Sequence, residues 1–534
     1  MTTAEQAMVS GQQQEDLLTR LASRNNLASL LDCIVSEAMQ LTNADGGTLY
    51  LVEGDGLDRE LHFSVVRTDS LGIQINGYEG DEVPMAPIPL FRDGQPNHHN
   101  VASHAALSRK PVIVEDAYKV DEFDFSGTKR FDESTGYRSC SFLTQPLLDH
   151  QGEVIGVLQL LNARDPRGQV VPFAEDVLSS VAALAKYAAI SLNNQILIHG
   201  HKELLDSFIK ALASITDVRS PHTSLHCQRI PELTELIARA ACEDKTGYFK
   251  DFNLDDEEWY ELSVAAWLHD CGKLATPDYV VDKATKLHML WDGIDAVRAR
   301  FSALRAQTER DYLQRMLAVS EGQRAALEAD LQARLQQIDD DCAFVTRANT
   351  GGEFMRPEDQ ERVRALGNLT WTNADGEPEP LLTEVEIENL CISRGTLNND
   401  ERAIINRHID ITIDILEALP FPRNLRRVPE YAGGHHEKMN GKGFPRGLTR
   451  DQLSIPARIM GVADIFEALT AKERPYKKPM PLSQAFSILR NMRDEEHIDA
   501  DVYEVFLRSG VWKEYAERHL LEAQKDVDDA TVYL

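Results

Sequence analysis

ELSVAAWLHDCGKLATPD, residues 261–278, is the stretch on which the reading of this chain turns. Its apolar body marks a buried helix that ends on His269-Asp270, with Cys271, Gly272 and Lys273 following. A His-Asp pair alone is common by chance in 534 residues. HHEKMNGKGFPRGL, 435–448, adds two adjacent histidines before a glycine-rich turn, and RIMGVADIFEALT, 458–470, adds Asp464. Together these offer the nitrogen and oxygen ligands of a hydrolytic metal site. Adjacent helical residues point about 100° apart, yet at a helix end both can face one pair of metals. A carboxylate has two oxygens and can bridge, whereas an imidazole ligates through one nitrogen. Asp270 therefore reads as the bridge and His269 as a terminal ligand. His435 and His436 read as neighbours reaching different parts of a dinuclear centre.

The chain is acidic, with a net charge of −30, and is 43% hydrophobic and 27% charged. That balance argues against a nonspecific nucleic-acid binder, which needs a basic surface to displace counterions. It leaves room for a local basic pocket. The length suggests roughly two to four domains. Cysteines at 33, 140, 227, 242, 271, 342 and 391 form no CxxC pair, as expected of free thiols in a reducing compartment. The first residues, MTTAEQAMVSGQQQEDLL, hold no basic or apolar targeting region. No apolar run approaches ~18 residues. A cytoplasmic location without a membrane span is the expectation.

Residues 1–25 read as a polar tail running into a helix start, and 26–197 as an α+β sensor domain. Within it, a helix over 27–41 precedes strands at 47–53, 60–66, 110–116, 141–149 and 154–162, and a helix from about Ala174 to Leu197 closes the unit. Residues 198–216 continue as a connecting helix, with Leu204, Leu205, Phe208, Ile209 and Leu212 at helical spacing. From 217 to 525 the pattern is all-α, followed by a tail at 526–534. A charged, Ala- and Leu-rich region at about 289–395 reads as an inserted helical hairpin punctuated near Ser320. Leu327, Leu331, Leu335 and Ile338 form a stripe on its second helix. The stripe fits packing on its own domain or a coiled-coil partner surface.

The segment KRFDESTGYRSCSFLTQPLLDHQGEVIGVLQLLN, 129–162, resembles the core of a phosphodiesterase-type GAF domain. There a Phe-Asp pair precedes a Gly-aromatic step and a Pro-containing strand. The resemblance covers about 170 residues and implies an unidentified small-molecule ligand or a dimerisation role. Thr128 precedes Lys129 where the cyclic-nucleotide motif has Asn, so the ligand's identity stays open.

The His-Asp pair and the 435–448 loop, in their order, resemble the HD-GYP branch of the HD phosphohydrolases, whose usual substrate is cyclic di-GMP. HTSLHCQRIPELTE, 222–235, is similar to the family's GHxxRV region and implies His226 as a ligand. RGTLNNDERAIINRHIDIT, 394–412, implies His408. The implied set is His226, His269, Asp270, His408, His435, His436 and Asp464, holding two divalent ions, Fe or Mn by resemblance. His222, one turn earlier, reads as a surface residue, with ligation of a third metal as the alternative. Asp270 and Lys273 carry the implied catalysis. Lys273, Arg474 and Lys477, with Gly443, Phe444 and Pro445 of the loop, carry the implied substrate contacts.

The loop departs from the family's HHExxDGxGYP: Asn440 replaces Asp, losing its charge, and Phe444 replaces Tyr, losing its hydroxyl. Neither change touches an implied ligand. The reading is a metal-dependent phosphodiesterase cutting cyclic di-GMP to linear pGpG, with GMP from a second cut, regulated by the GAF-like domain. The alternatives are hydrolysis of another cyclic (di)nucleotide, or a weakly active signalling and interaction module. A homodimer is expected, with a protein partner at the GYP-like loop or helical insertion as a further expectation.

Overall fold

The computed structural model describes residues 20, 26–219, 225–351, 354–472 and 479–534. The chain divides into two compact units, Met1–Leu204 and Leu205–Leu534.

In the first unit the helix Leu27–Thr42 starts at Asn26, whose side chain accepts from the Ser29 N–H, and stops at Asn43 in the left-handed region. The antiparallel sheet runs Ile73–Asn76, Glu60–Thr68, Ala44–Glu53, Val154–Arg164, Phe142–Leu148, Val112–Val114, with two short strands added beside it. Alternation splits the sheet's faces. Leu49, Leu51, Leu143, Leu158 and Leu160 pack with Leu31, Ile34, Val181, Leu184 and Leu192 of the helices. On the other face Tyr50 and Val157 pack with Ala102 and Ala106 of the helix Val101–Ser108.

The helices expected at 174–197 and 198–216 are one helix, Glu175–Arg219. Among the described residues, its stretch Glu175–Val218 has the length and apolar composition of a membrane span. Val181, Leu184, Ala188 and Leu192 are at most 1% exposed within the first unit's core, where a core helix needs them.

The second unit is almost all helix around one large apolar core. The insertion forms its own small core. The hairpin Ile294–Leu317 and Glu321–Asn349 packs through Val297, Phe301, Ile338 and Val345 onto Val363, Leu381 and Leu390. Leu331 and Leu335 are each 5% exposed, so the stripe on the second helix faces its own unit rather than solvent. Two details differ from expectation. A β-hairpin, Thr370–Thr372 with Pro378–Pro380, interrupts the helices. Its strands are too short to show alternation, and the Asn373 side chain builds its turn by accepting from the Asp375 and Glu377 N–H groups. Residues 526–534 are not a loose tail: Ala530 is 2% exposed, and Val527, Tyr533 and Leu534 pack on the main core.

Candidate metal centre

Every residue of the expected ligand set sits at or near a helix end, except Asp464. His226 opens the helix His226–Glu243, and His269 caps Asp256–Leu268 with Asp270 next. His408 opens His408–Ala418. His435 and His436 follow the short helix Val428–Gly433, and Asp464 lies within Ile455–Thr470. Gly272 makes the convergence feasible: a Cβ there would lie 2.0 Å from the His408 carbonyl oxygen. Its N–H donates to Thr412 Oγ1 at 2.9 Å, tying the His-Asp turn to the His408 helix.

All seven residues come together. His226, His269 and Asp464 offer ligand atoms within 4.8 Å of one another; so do His408, His435 and His436, and so do His269, Asp270 and His435. Asp270 spans the groups. Its Oδ2 is 3.3 Å from His226 Nε2 and 3.2 Å from His269 Nε2, while its Oδ1 is 3.2 Å from His408 Nε2. Asp464 Oδ1 is 3.3 Å from His226 Nε2.

The backbone decides which nitrogen each ring presents. Nδ1 of His269 contacts the Ala266 carbonyl at 2.8 Å, Nδ1 of His408 the Ile405 carbonyl at 2.5 Å, and Nδ1 of His435 the Ala432 carbonyl at 2.5 Å. A carbonyl only accepts, so each Nδ1 carries a proton and each ring, when neutral, turns a lone pair on Nε2 inward. Asp270 Oδ1, His408 Nε2 and His435 Nε2 are buried without a hydrogen-bond partner among the described residues. His269 Nε2 and His226 Nε2 face each other at 3.3 Å. Unpartnered acceptors on Asp270, His408 and His435 in a buried site call for a cation between them, and this donor set fits divalent metal.

Burial and neighbouring charge treat the rings differently. Burial works against charging His226, but Glu467, Asp270 and Asp464 outweigh it and raise the imidazole well above its ordinary value. Burial also disfavours the Asp270 carboxylate, but Lys273 and His269 outweigh it and hold its pKa well below the usual range. Burial pushes His435 well down and His436 down to about 4, keeping both rings neutral. Burial opposes the Lys273 charge, but Asp270 and Asp464 outweigh it and raise its pKa; its Nζ is 2.5 Å from Asp270 Oδ2.

Two residues escaped the sequence reading. Glu467 is 1% exposed, and its Oε2 accepts from His226 Nδ1 at 2.6 Å, with Arg229 on its other oxygen at 3.3 Å. A carboxylate behind a ligating histidine fixes its tautomer and orientation. Glu467 lies three residues after Asp464, nearly on the same helical face, and that spacing was the available signal. Glu437 is 4% exposed and accepts from the Arg446 and Leu448 N–H groups at 2.7 and 2.9 Å, closing the glycine-rich loop.

In that loop Phe444 stacks on His436, with ring centres 4.9 Å apart and planes 22° apart. Gly443 passes so close to the Glu437–Lys438 backbone that a Cβ would lie 2.3 Å from the Lys438 nitrogen. Pro445 follows Phe444 through a cis bond. Asn440 donates from Nδ2 to the Glu495 carbonyl at 2.8 Å, a bond aspartate could not make. Arg474, Lys477 and His222 lie outside the described residues.

Residues 26–192 match the family model of the GAF domain, and residues 385–502 match that of the HD domain. The chain thus carries a GAF domain followed by a largely helical region with an HD domain. His408, His435, His436 and Asp464 fall inside the HD match; His226, His269 and Asp270 precede it. A 3'3'-cGAMP-specific phosphodiesterase of Vibrio cholerae is 35% identical over 122 residues, 23% of this chain and 27% of that protein. A second from the same organism is 42% identical over 95 residues, 18% of this chain and 20% of that protein. A cyclic di-GMP phosphodiesterase of Thermotoga maritima is 32% identical over 193 residues, 33% of this chain and 51% of that protein. The matched stretches thus span between about a fifth and a half of these relatives. Among solved structures, the GAF domain of an Acinetobacter phosphoenolpyruvate-protein phosphotransferase matches at TM-score 0.26 and 17% identity, covering 35% of this chain and 98% of that one.

Proposed function

We propose that this chain is a GAF-regulated, metal-dependent phosphodiesterase of cyclic dinucleotides, with cyclic di-GMP as substrate and linear pGpG as product. The observation that carries the reading is the inward convergence of buried acceptors on Asp270, His408 and His435 that have no partner. His226, His269 and Asp464 would hold one divalent ion and His408, His435 and His436 a second, with Asp270 spanning them; Fe and Mn suit these donors. Such a pair, when bound, supplies Lewis acidity at a phosphodiester and lowers the pKa of water. The chain's own groups do the rest. Lys273 keeps its ammonium beside Asp270, where a phosphodiester oxygen can take another of its protons. Phe444, stacked on His436, offers an aromatic face to a purine base. Asp270, anchored in the fold, sets the spacing of the two halves.

A second reading has its own support. Three Vibrio cholerae relatives carry names specific for 3'3'-cGAMP, and the loop departs from type at Asn440 and Phe444. Turnover of cyclic di-GMP, 3'3'-cGAMP and cyclic di-AMP by the Mn- or Fe-loaded protein, with products separated by chromatography, decides among them. Faster cleavage of 3'3'-cGAMP favours the second reading. Metal binding with no cleavage of any of the three leaves a signalling module.

Regulation rests on the long helix. Ile190, Leu197, Leu204 and Val218 share one seven-residue register and are 49%, 50%, 55% and 82% exposed. Phe208 and Ile215, 61% and 55% exposed, fill the alternate position of the heptad. An exposed heptad seam supports a parallel homodimer through this helix. Phe208→Glu should yield monomers in light scattering. A short Gly/Ser insertion near His199 should leave basal hydrolysis and remove its dependence on the GAF domain. An unchanged oligomeric state in the first and unchanged regulation in the second would count against this coupling.

A further inference from the structure

We propose that the second unit holds a separate site for a small aromatic or alkyl cation, in a cleft between the helices His226–Glu243 and Asp256–Leu268. The cleft measures about 430 Å³, within the range of small-ligand sites. Each helix contributes one stripe: Gln228, Pro231, Glu232 and Glu235 from the first, and Trp259, Ser263 and Trp267 from the second. Gln228 lies two residues after His226, and Trp267 two before His269. Two residues turn a helix by about 200°, so the cleft uses the faces turned away from the candidate metal centre.

Two observations define the ligand. Trp259 and Trp267 line the cleft and are half-buried, packing also on the main core, and an indole is the side chain that best receives an organic cation. The acids at the rim favour positive charge. Glu232 already holds Arg518 at 2.6 Å and His519 at 2.8 Å, which shows this edge receiving cations from the chain itself. Among the described residues Glu235 is paired with Arg239 one turn along, both side chains more than half exposed (55% and 56%), and such a pair is readily exchanged. An amidinium or ammonium with an apolar body meets both: indole rings for the body and Glu235 for the charge.

The test titrates full-length protein with benzamidine and with neutral benzamide of nearly the same shape, by calorimetry. One benzamidine per chain should bind saturably, about tenfold tighter than benzamide, the worth of the ring and carboxylate attraction to charge. Ser263→Trp, a substitution at an exposed helical position, should block binding without lowering the melting temperature. Glu235→Gln should erase the preference for benzamidine. Absence of saturable binding, equal binding of benzamide, or full binding by both variants would overturn the assignment. Because none of these residues belongs to the candidate metal centre, failure here leaves the phosphodiesterase reading untouched.

Discussion

Two buried carboxylates, one in each unit, are treated in opposite ways. Asp45 of the sheet domain is 2% exposed, and its oxygens accept from the Ser70 N–H and hydroxyl, the Tyr137 hydroxyl and the Arg164 guanidinium. Asp270 of the helical unit is 1% exposed and keeps Oδ1 without a hydrogen-bond partner, opposite the unprotonated Nε2 of His408. Asp132 repeats the closed pattern, accepting from the Tyr118 hydroxyl and from the Ser139 N–H and hydroxyl at 2.7–2.8 Å. A closed network spends its polar groups on holding the fold. An open one, equally buried, is held for something the chain does not supply.

The comparison breaks most visibly at Asp270. Asp270→Ala should abolish hydrolysis of cyclic dinucleotides while circular dichroism and the melting of the sheet domain stay as in the parent. Retained turnover would show that the open carboxylate is not needed. Next in size is Glu467, which orients His226 from behind. Glu467→Gln should lower metal affinity or activity about 10–100-fold. A merely structural role would instead lower the melting temperature and leave metal affinity in the surviving fold unchanged. The closed networks predict the reverse behaviour. Asp132→Ala strands three donors and should cost the sheet domain about 1–3 kcal/mol in denaturant unfolding, with metal content unchanged. Loss of metal in that variant would erase the contrast. Smallest is Phe444→Tyr, which adds one hydroxyl to a ring already stacked on His436 and should change turnover by less than an order of magnitude. A larger change would move the loop from substrate contact into the chemistry.

Much of the site was legible because its residues lie inside short, patterned stretches. His269-Asp270 closes an apolar helix, His435-His436 opens a glycine-rich turn, and Asp464 sits in an apolar helix. Glu467 offered only its spacing from Asp464, since its partner His226 lies 241 residues away and only folding joins them. Glu437 read as part of a motif, but its work, accepting two loop N–H groups, depends on the path of the backbone. In the sheet domain the main strands followed from alternation and turns, but their order did not. The partners of Asp132 did not, although the Phe131-Asp132 pair stood out. The stripe at Leu331, Leu335 and Ile338 announced a buried face without saying what covers it. For Ile338 the answer was the insertion's own core, whose residues are scattered from 287 to 390. The short hairpin at 370–380 and the packed end at 526–534 carried too few patterned residues to be seen.

The central claim is that the acceptors around Asp270 are left open for metal. Elemental analysis of the full-length protein, purified and then equilibrated with Mn or Fe under reducing conditions, tests it directly. The account predicts about two metal equivalents per chain in the parent and loss of most of this in Asp270→Ala. A folded parent protein that retains no metal, or an Asp270→Ala variant that retains both equivalents, would contradict it.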